Sequence, residues 1–245
     1  MTEIVHNLAR VQERIAQAAL RSGREPTDVT LIAITKTHPA ESIVAAYQAG
    51  VRHFGENRVE EGAAKMPAVH AAIDGPRPKW HMVGHVQSRK APGVVEGFDY
   101  IHSVDRLKIA QRLSRFAQEA GRKLPALLEC NVSGEESKFG FDLQGWEQDV
   151  TRKKTFFTAV EEMLTLPGLA IQGLMTMAPF VPDPETVRPV FTSLRRLLDT
   201  LQERLPWGDW RHLSMGMSDD FEVAVEEGAT LVRIGRAIFG ARLHG

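Results

Sequence analysis

Little cysteine, little tyrosine, no charge excess and no long apolar run mark this chain of 245 residues. Its single cysteine, Cys130, excludes an internal disulfide and fits a reducing compartment. It lies in Leu127-Leu128-Glu129-Cys130-Asn131-Val132, where a packed thiol is a simpler reading than a nucleophile. Lys plus Arg number 30 against 31 for Asp plus Glu, a formal net charge of -1. With no basic surplus, nucleic acid is not an expected partner, and there is no acidic tail. No stretch approaches the roughly 18 apolar residues that a membrane helix needs. The first fifteen residues carry charges throughout and lack the apolar core of a signal peptide. The expected location is the cytoplasm. Also missing is a G-x-G-x-x-G after the first strand, which weakens a dinucleotide-binding reading.

What is present is an alternation of helical and strand-like segments. Ile4, Leu8, Val11 and Ile15 recur at helical spacing, so residues 3–21 read as an amphipathic helix ending near Gly23. Strands are expected at 30–35, 51–54, 79–83, 100–104, 126–132, 169–174, 212–215 and 230–234. Helices are expected at about 40–49, after Asn57, from an N-cap at Asp105 to Gly121, over 143–165, over 183–205 and over 219–227. The strands are short continuous apolar runs, as in a parallel sheet covered on both faces. Eight such units in one chain predict an α/β fold, a single closed (β/α)₈ TIM barrel with an extra N-terminal helix, spanning 1–245 as one domain. An open doubly wound sheet is the alternative.

Lys36 closes the buried run Leu31-Ile32-Ala33-Ile34-Thr35. A lysine there is costly unless its charge is paired, removed or used. An unprotonated amine is the nucleophile that forms a Schiff base with an aldehyde. Taken alone, a solvent-facing or ion-paired lysine is the simpler reading. In this barrel class, however, phosphate is commonly held by the loops after the seventh and eighth strands. Those loops are Ser214-Met215-Gly216-Met217-Ser218-Asp219 and Arg233-Ile234-Gly235-Arg236. Each combines glycine with hydroxyl or guanidinium donors and precedes helical sequence, whose amides favour an anion. Two such turns opposite a lysine predict a phosphorylated aldehyde held at both ends.

The segments Ala33-Ile34-Thr35-Lys36-Thr37, His53-Phe54-Gly55-Glu56-Asn57, Trp80-His81-Met82-Val83-Gly84-His85, Asn131-Val132-Ser133-Gly134-Glu135-Glu136-Ser137-Lys138-Phe139-Gly140, Gly173-Leu174-Met175-Thr176-Met177, Leu213 to Asp219 and Val232 to Gly240 resemble the pyridoxal 5'-phosphate (PLP) homeostasis family, the YggS/PROSC type. The resemblance implies a barrel like the N-terminal domain of alanine racemase, with PLP bound to Lys36 as an internal aldimine. It also implies phosphate contacts at Ser214, Gly216 or its neighbours Met215 and Ser218, Gly235 and Arg236. Arg233 falls near the pyridine nitrogen, and Asn57 lines the cofactor. The family often has threonine where this chain has Arg236, so that residue reaches the phosphate by charge or only by its backbone N–H. The segment 150–158 is longer than usual and has no assigned role.

A cation facing the pyridine nitrogen disfavours its protonation and weakens the ring as an electron sink. Racemases of this type also use a tyrosine from an extra C-terminal domain. Only Tyr47 and Tyr100 exist here, and neither position suggests that role. The expected function is therefore to hold, buffer or deliver PLP, with no catalytic residues assigned and apo PLP-dependent enzymes as possible recipients. A monomer is expected. The alternatives are an amino-acid racemase and a cofactor-free Schiff-base aldolase. Lys138 is the second choice for a Schiff base. His81 and His85 share no helix face, which argues against zinc. His38, His53, His102 and His212 read as packed or hydrogen-bonded side chains, and Met175, Met177, Met215 and Met217 equally as packing at the cavity rim or as core filler.

Overall fold

The computed structural model describes residues 2–240. The strands are β1 (Thr30–Ile34), β2 (His53–Glu56), β3 (Lys79–Met82), β4 (Tyr100–Val104), β5 (Leu124–Asn131), β6 (Phe141–Asp142), β7 (Leu169–Met175), β8 (His212–Ser214) and β9 (Leu231–Ile234). The helices are α1 (Thr2–Arg21), α2 (Ala40–Gln48), α3 (Val59–Ala72), α4 (Ala91–Gly97), α5 (Leu107–Glu119), α6 (Val150–Leu164), α7 (Arg188–Arg204), α8 (Phe221–Glu226) and α9 (Arg236–Phe239). The sheet runs β4-β3-β2-β1-β9-β8-β7-β5, and pairing of β4 with β5 closes it. All pairings are parallel, so eight strands make a (β/α)₈ barrel. The short β6 pairs with β5 alone, through Cys130 and Phe141 and through Asn131 and Asp142.

Alternation along each strand sorts side chains into two layers. One set packs outward under the helices, among them Phe54, Met82, Ile101, Leu128 and Leu213. The other fills the barrel: Ile32, Ile34, Val83, Leu127, Met175 and Leu231, with Met177 against them. Helix α1 packs against α8 and α9 and buries Leu8, Val11 and Ile15. Each such side chain contributes about 2 kcal/mol of apolar burial.

Several elements depart from expectation for local reasons. β2 begins two residues late, because Val51 N–H still bonds Ala46 O to close α2 beside Gly50 at φ 102°. The strand therefore carries Gly55 and Glu56. Asp105 is not the cap of α5; Arg106 holds that position. The Asp105 carboxylate instead faces His85 Nδ1 at 2.9 Å. The expected helix over 143–165 starts only at Val150, where the Asp149 side chain accepts from Arg152 N at 2.9 Å. The segment 150–158 is thus the first part of α6. A 3-10 turn, Pro184–Val187, precedes α7, and Pro189 sits in the first turn of α7, where its missing N–H costs no hydrogen bond.

Candidate functional site

Strand ends, the loops after them and the first residue of α9 aim the polar side chains. At the C-terminal mouth of the barrel lies a cavity of ≈ 590 Å³. Lys36, Asn57, Ser218, Arg233, Gly235 and Arg236 line it. Ile34, Val83, Met177 and Met217 supply apolar wall, and Phe180 stands at the rim, largely exposed. The loop after β8 is tied to the first turn of α9: Ala237 N–H donates to Ser218 Oγ at 3.2 Å. The helices that follow, α8 and α9, have only six and four residues. The expected helix-terminus effect is accordingly small.

The lysine is held by its neighbours. Thr35 Oγ1 donates to Glu56 Oε1 at 2.6 Å. Lys65 Nζ donates to Thr35 O at 2.8 Å, to Glu56 Oε1 at 3.1 Å and to Glu61 Oε1 at 2.6 Å. Thr37 N–H donates to Glu61 Oε1. Thr37 stands at φ 66°, the one non-glycine with positive φ among the described residues. Such a conformation costs energy and needs outside support. Here Glu61 supports it, so both neighbours of Lys36 are tied to one charged cluster. Burial raises the Glu56 carboxyl, with Thr35 and Lys65 opposing. Asn57 is set by a close approach: a Cβ on Gly84 would stand 2.2 Å from Asn57 O.

Arg233 forms the cavity floor. It is buried, and its Nη1 donates to Ser214 Oγ at 2.6 Å while Nη2 donates to Thr176 O at 2.8 Å. Among the described residues no carboxylate forms an ion pair with it. Burial pushes it down to about 10, with Asp220 and Glu129 opposing, so it stays a cation at neutral pH. A buried cation held by neutral acceptors and open to a cavity fits an electron-rich ligand atom. Glu129, also buried, is pushed up to about 7 by desolvation and by Asp105, with Arg233 opposing.

Three of the residues expected to touch a phosphate lie elsewhere. Ser214 is one turn of the pleat deeper, with its hydroxyl between Arg233 and His102. Met215 is in the outer core. Gly216, at φ 93°, lets the chain pass α8, since a Cβ would stand 2.7 Å from Ala224 Cβ. Its carbonyl accepts from Arg233 N–H at 3.0 Å. Arg236 lines the cavity, but its guanidinium bonds Asp219. Met177 and Met217 line the wall, whereas Met175 and Met215 are buried in the core. Lys138 is outside the cavity and pairs with Glu135 at 3.7 Å. Tyr47 donates to Pro76 O at 2.9 Å, and Tyr100 stacks on His81 with centroids 4.5 Å apart. The row of histidines reaching Ser214 was not expected.

A closed parallel barrel with a lysine just beyond β1 and an arginine on its last strand defines the class of the alanine racemase N-terminal domain, whose family model matches residues 3–243. A pyridoxal phosphate homeostasis protein of Vibrio alginolyticus is 41% identical over 242 residues, covering 99% of each chain. One of Escherichia coli is 41% identical over 245 residues, covering 99% of this chain and 98% of its own. The solved structure of PipY of Synechococcus elongatus with PLP bound has 37% identity and a TM-score of 0.80 and covers 97% of this chain and 100% of its own. An alanine racemase of Clostridium difficile shares the fold at a TM-score of 0.71 and 14% identity, this chain spanning 60% of it. The chain belongs to the pyridoxal phosphate homeostasis protein family.

Proposed function

We propose that this protein holds PLP in the mouth cavity, linked covalently to Lys36, and that it buffers or delivers the cofactor instead of turning over a substrate. When bound, PLP supplies a reactive aldehyde and an electron-accepting ring. The observation that carries the reading is one cavity in which a lysine, a buried arginine, the loop after β8 and the start of α9 converge. A volume of ≈ 590 Å³ suits a ligand of this size. Ser218, Gly235 and Arg236 would hold the phosphate, and Asn57 would contact the ring. Arg233 would face the ring nitrogen and keep a proton off it, because two adjacent cations repel. That setting favours retention of the cofactor over carbanion chemistry. Ser214 would act behind Arg233.

Neither tyrosine lines the cavity, which supports a holder over a two-base racemase. Apo PLP-dependent enzymes would be the recipients, and a site complete within one barrel supports a monomer. No described helix is long and apolar enough to cross a membrane, which supports a cytoplasmic location. Borohydride reduction followed by mass mapping tests the reading. A pyridoxyl adduct on Lys36, absent in Lys36→Ala, is the expected result. An adduct on Lys138, a sugar-sized adduct, or sustained turnover of amino acids would each overturn it.

A further inference from the structure

His53, His81 and His102 come from neighbouring strands, and their rings meet inside the barrel. His53 Nδ1 lies 2.9 Å from His81 Nε2, and His81 Nδ1 lies 2.9 Å from His102 Nε2. His102 Nδ1 lies 2.8 Å from Ser214 Oγ, which accepts from Arg233 Nη1 at 2.6 Å. Arg233 lines the mouth cavity. His53 lines a second cavity of ≈ 370 Å³ at the opposite end, between α1 and the strand starts. A continuous row of hydrogen bonds therefore runs through the barrel from one cavity to the other.

The row has a direction. Arginine can only donate. Ser214 Oγ therefore accepts from Arg233, and among the described residues His102 Nδ1 is the one acceptor bonded to its hydroxyl, so its proton goes there. A neutral imidazole carries one N–H. His102 must then carry it on Nε2 and donate to His81 Nδ1. By the same logic His81 donates from Nε2 to His53 Nδ1, and His53 keeps its own proton on Nε2. The obligate donor at the mouth and the single acceptor for the Ser214 proton together set three tautomers, since the reverse order would leave that buried proton unpaired. Burial holds His81 and His102 well below the ordinary histidine value, so both rings are neutral as the row requires. The groups facing the row add no carboxylate to the two inner rings. They are Tyr100, stacked on His81, then His212, Lys79 and Arg233. Asp99 and Lys79 act on His53.

We propose that His102, His81 and His53 are positioning residues for Arg233: the row holds Ser214 as an acceptor, fixes the guanidinium in the cavity floor and makes its setting depend on the far cavity. The effect on a ligand rests on the PLP reading above; the tautomer pattern does not.

Nitrogen-15 imidazole spectra of the full-length protein, before any PLP is added, test the row itself. All three rings should be neutral Nε2–H tautomers, and Arg233→Met should move the His102 resonances and, through them, those of His81. An Nδ1–H tautomer at His81 or His102 overturns the proposal whatever the protein binds. PLP titration tests the consequence. His81→Leu should weaken PLP binding about fivefold and shift the pH response of its visible absorption. His81→Gln, which keeps a donor and an acceptor, should restore most of both. A folded His81→Leu protein with unchanged affinity and pH response reduces the row to packing and overturns the proposal. Failure of the wild-type protein to bind PLP defeats the cofactor reading, and the nitrogen spectra still decide the row.

Discussion

The Lys65 ammonium donates to the backbone carbonyl of Thr35, the residue before Lys36, at 2.8 Å. The same ammonium pairs with Glu56, whose side chain is fully buried. Lys65→Met would leave that carboxylate without its cation and would free the Thr35–Thr37 segment. Breaking a buried pair on one side costs about 3 kcal/mol. Denaturant unfolding should show a loss of that order, and Glu56→Gln added to Lys65→Met should recover part of it. PLP capture should slow in Lys65→Met even where the protein remains folded. A variant with wild-type stability and capture would show that the cluster does not support the lysine.

Glu129 makes stability depend on pH in an unusual sense. Burial pushes its carboxyl up to about 7, so the folded state keeps a proton that the unfolded state gives up in the ordinary carboxylate range. Stability is then highest below the unfolded value and falls as pH rises toward 7. The total is about 3 kcal/mol. Glu129→Gln removes the ionisation. It should match the wild type near pH 4 and exceed it near pH 8 by about that amount, measured by urea unfolding at both values. Equal stability at pH 8 would mean that the carboxyl is better solvated than its burial indicates.

His81 and His102 act in the opposite sense. Both are held neutral by burial, well below the ordinary histidine value. The unfolded chain takes up their protons first as pH falls. Their contribution is fully present above the unfolded value near 6.5 and is lost below it, at about 1.4 kcal/mol per pH unit for each ring. His81→Gln should flatten the acid limb of the stability curve by roughly that slope. An unchanged limb would assign acid loss to other groups.

The barrel was legible because its strands are unbroken apolar runs between helices with clear stops. Lys36 and the two glycine-containing turns were legible because the mouth of such a barrel is built from strand ends. What could not be read was depth. Ser214 and Gly216 differ by two positions, which places one behind the cavity floor and the other against α8. The histidine row was equally hidden. His53, His81 and His102 lie on separate strands, and only closure and register bring them together: His53 pairs with Lys79, Gly55 with His81, and His81 with Tyr100. A usable signal was nevertheless present. His212 and Ser214 share a face of β8 by the two-residue period, and so do Tyr100 and His102 of β4. Polar side chains on the inward face of several strands are costly unless they bond one another. Asp105 misled because its sequence context suits a cap, while His85 and Arg106 compete for its carboxylate.

Asp219 holds the guanidinium of Arg236 at the cavity rim. Both side chains are about half exposed, so the pair contributes at most about 1 kcal/mol to stability. Its consequence for a phosphate is larger in kind. Asp219 engages Arg236 Nη2 and places a negative charge on the wall of the cavity proposed to hold the phosphate. Asp219→Ala should therefore leave the melting temperature nearly unchanged and tighten PLP binding several-fold, with the gain shrinking as salt is added. Two causes are separable, because removal of the carboxylate alone also favours an anion. Arg236→Ala should weaken binding little while Asp219 is present. In the Asp219→Ala background the same change should remove most of the gain if the released guanidinium reaches the phosphate. If the double variant keeps the gain, only the lost carboxylate matters, and Arg236 serves the phosphate through its backbone alone.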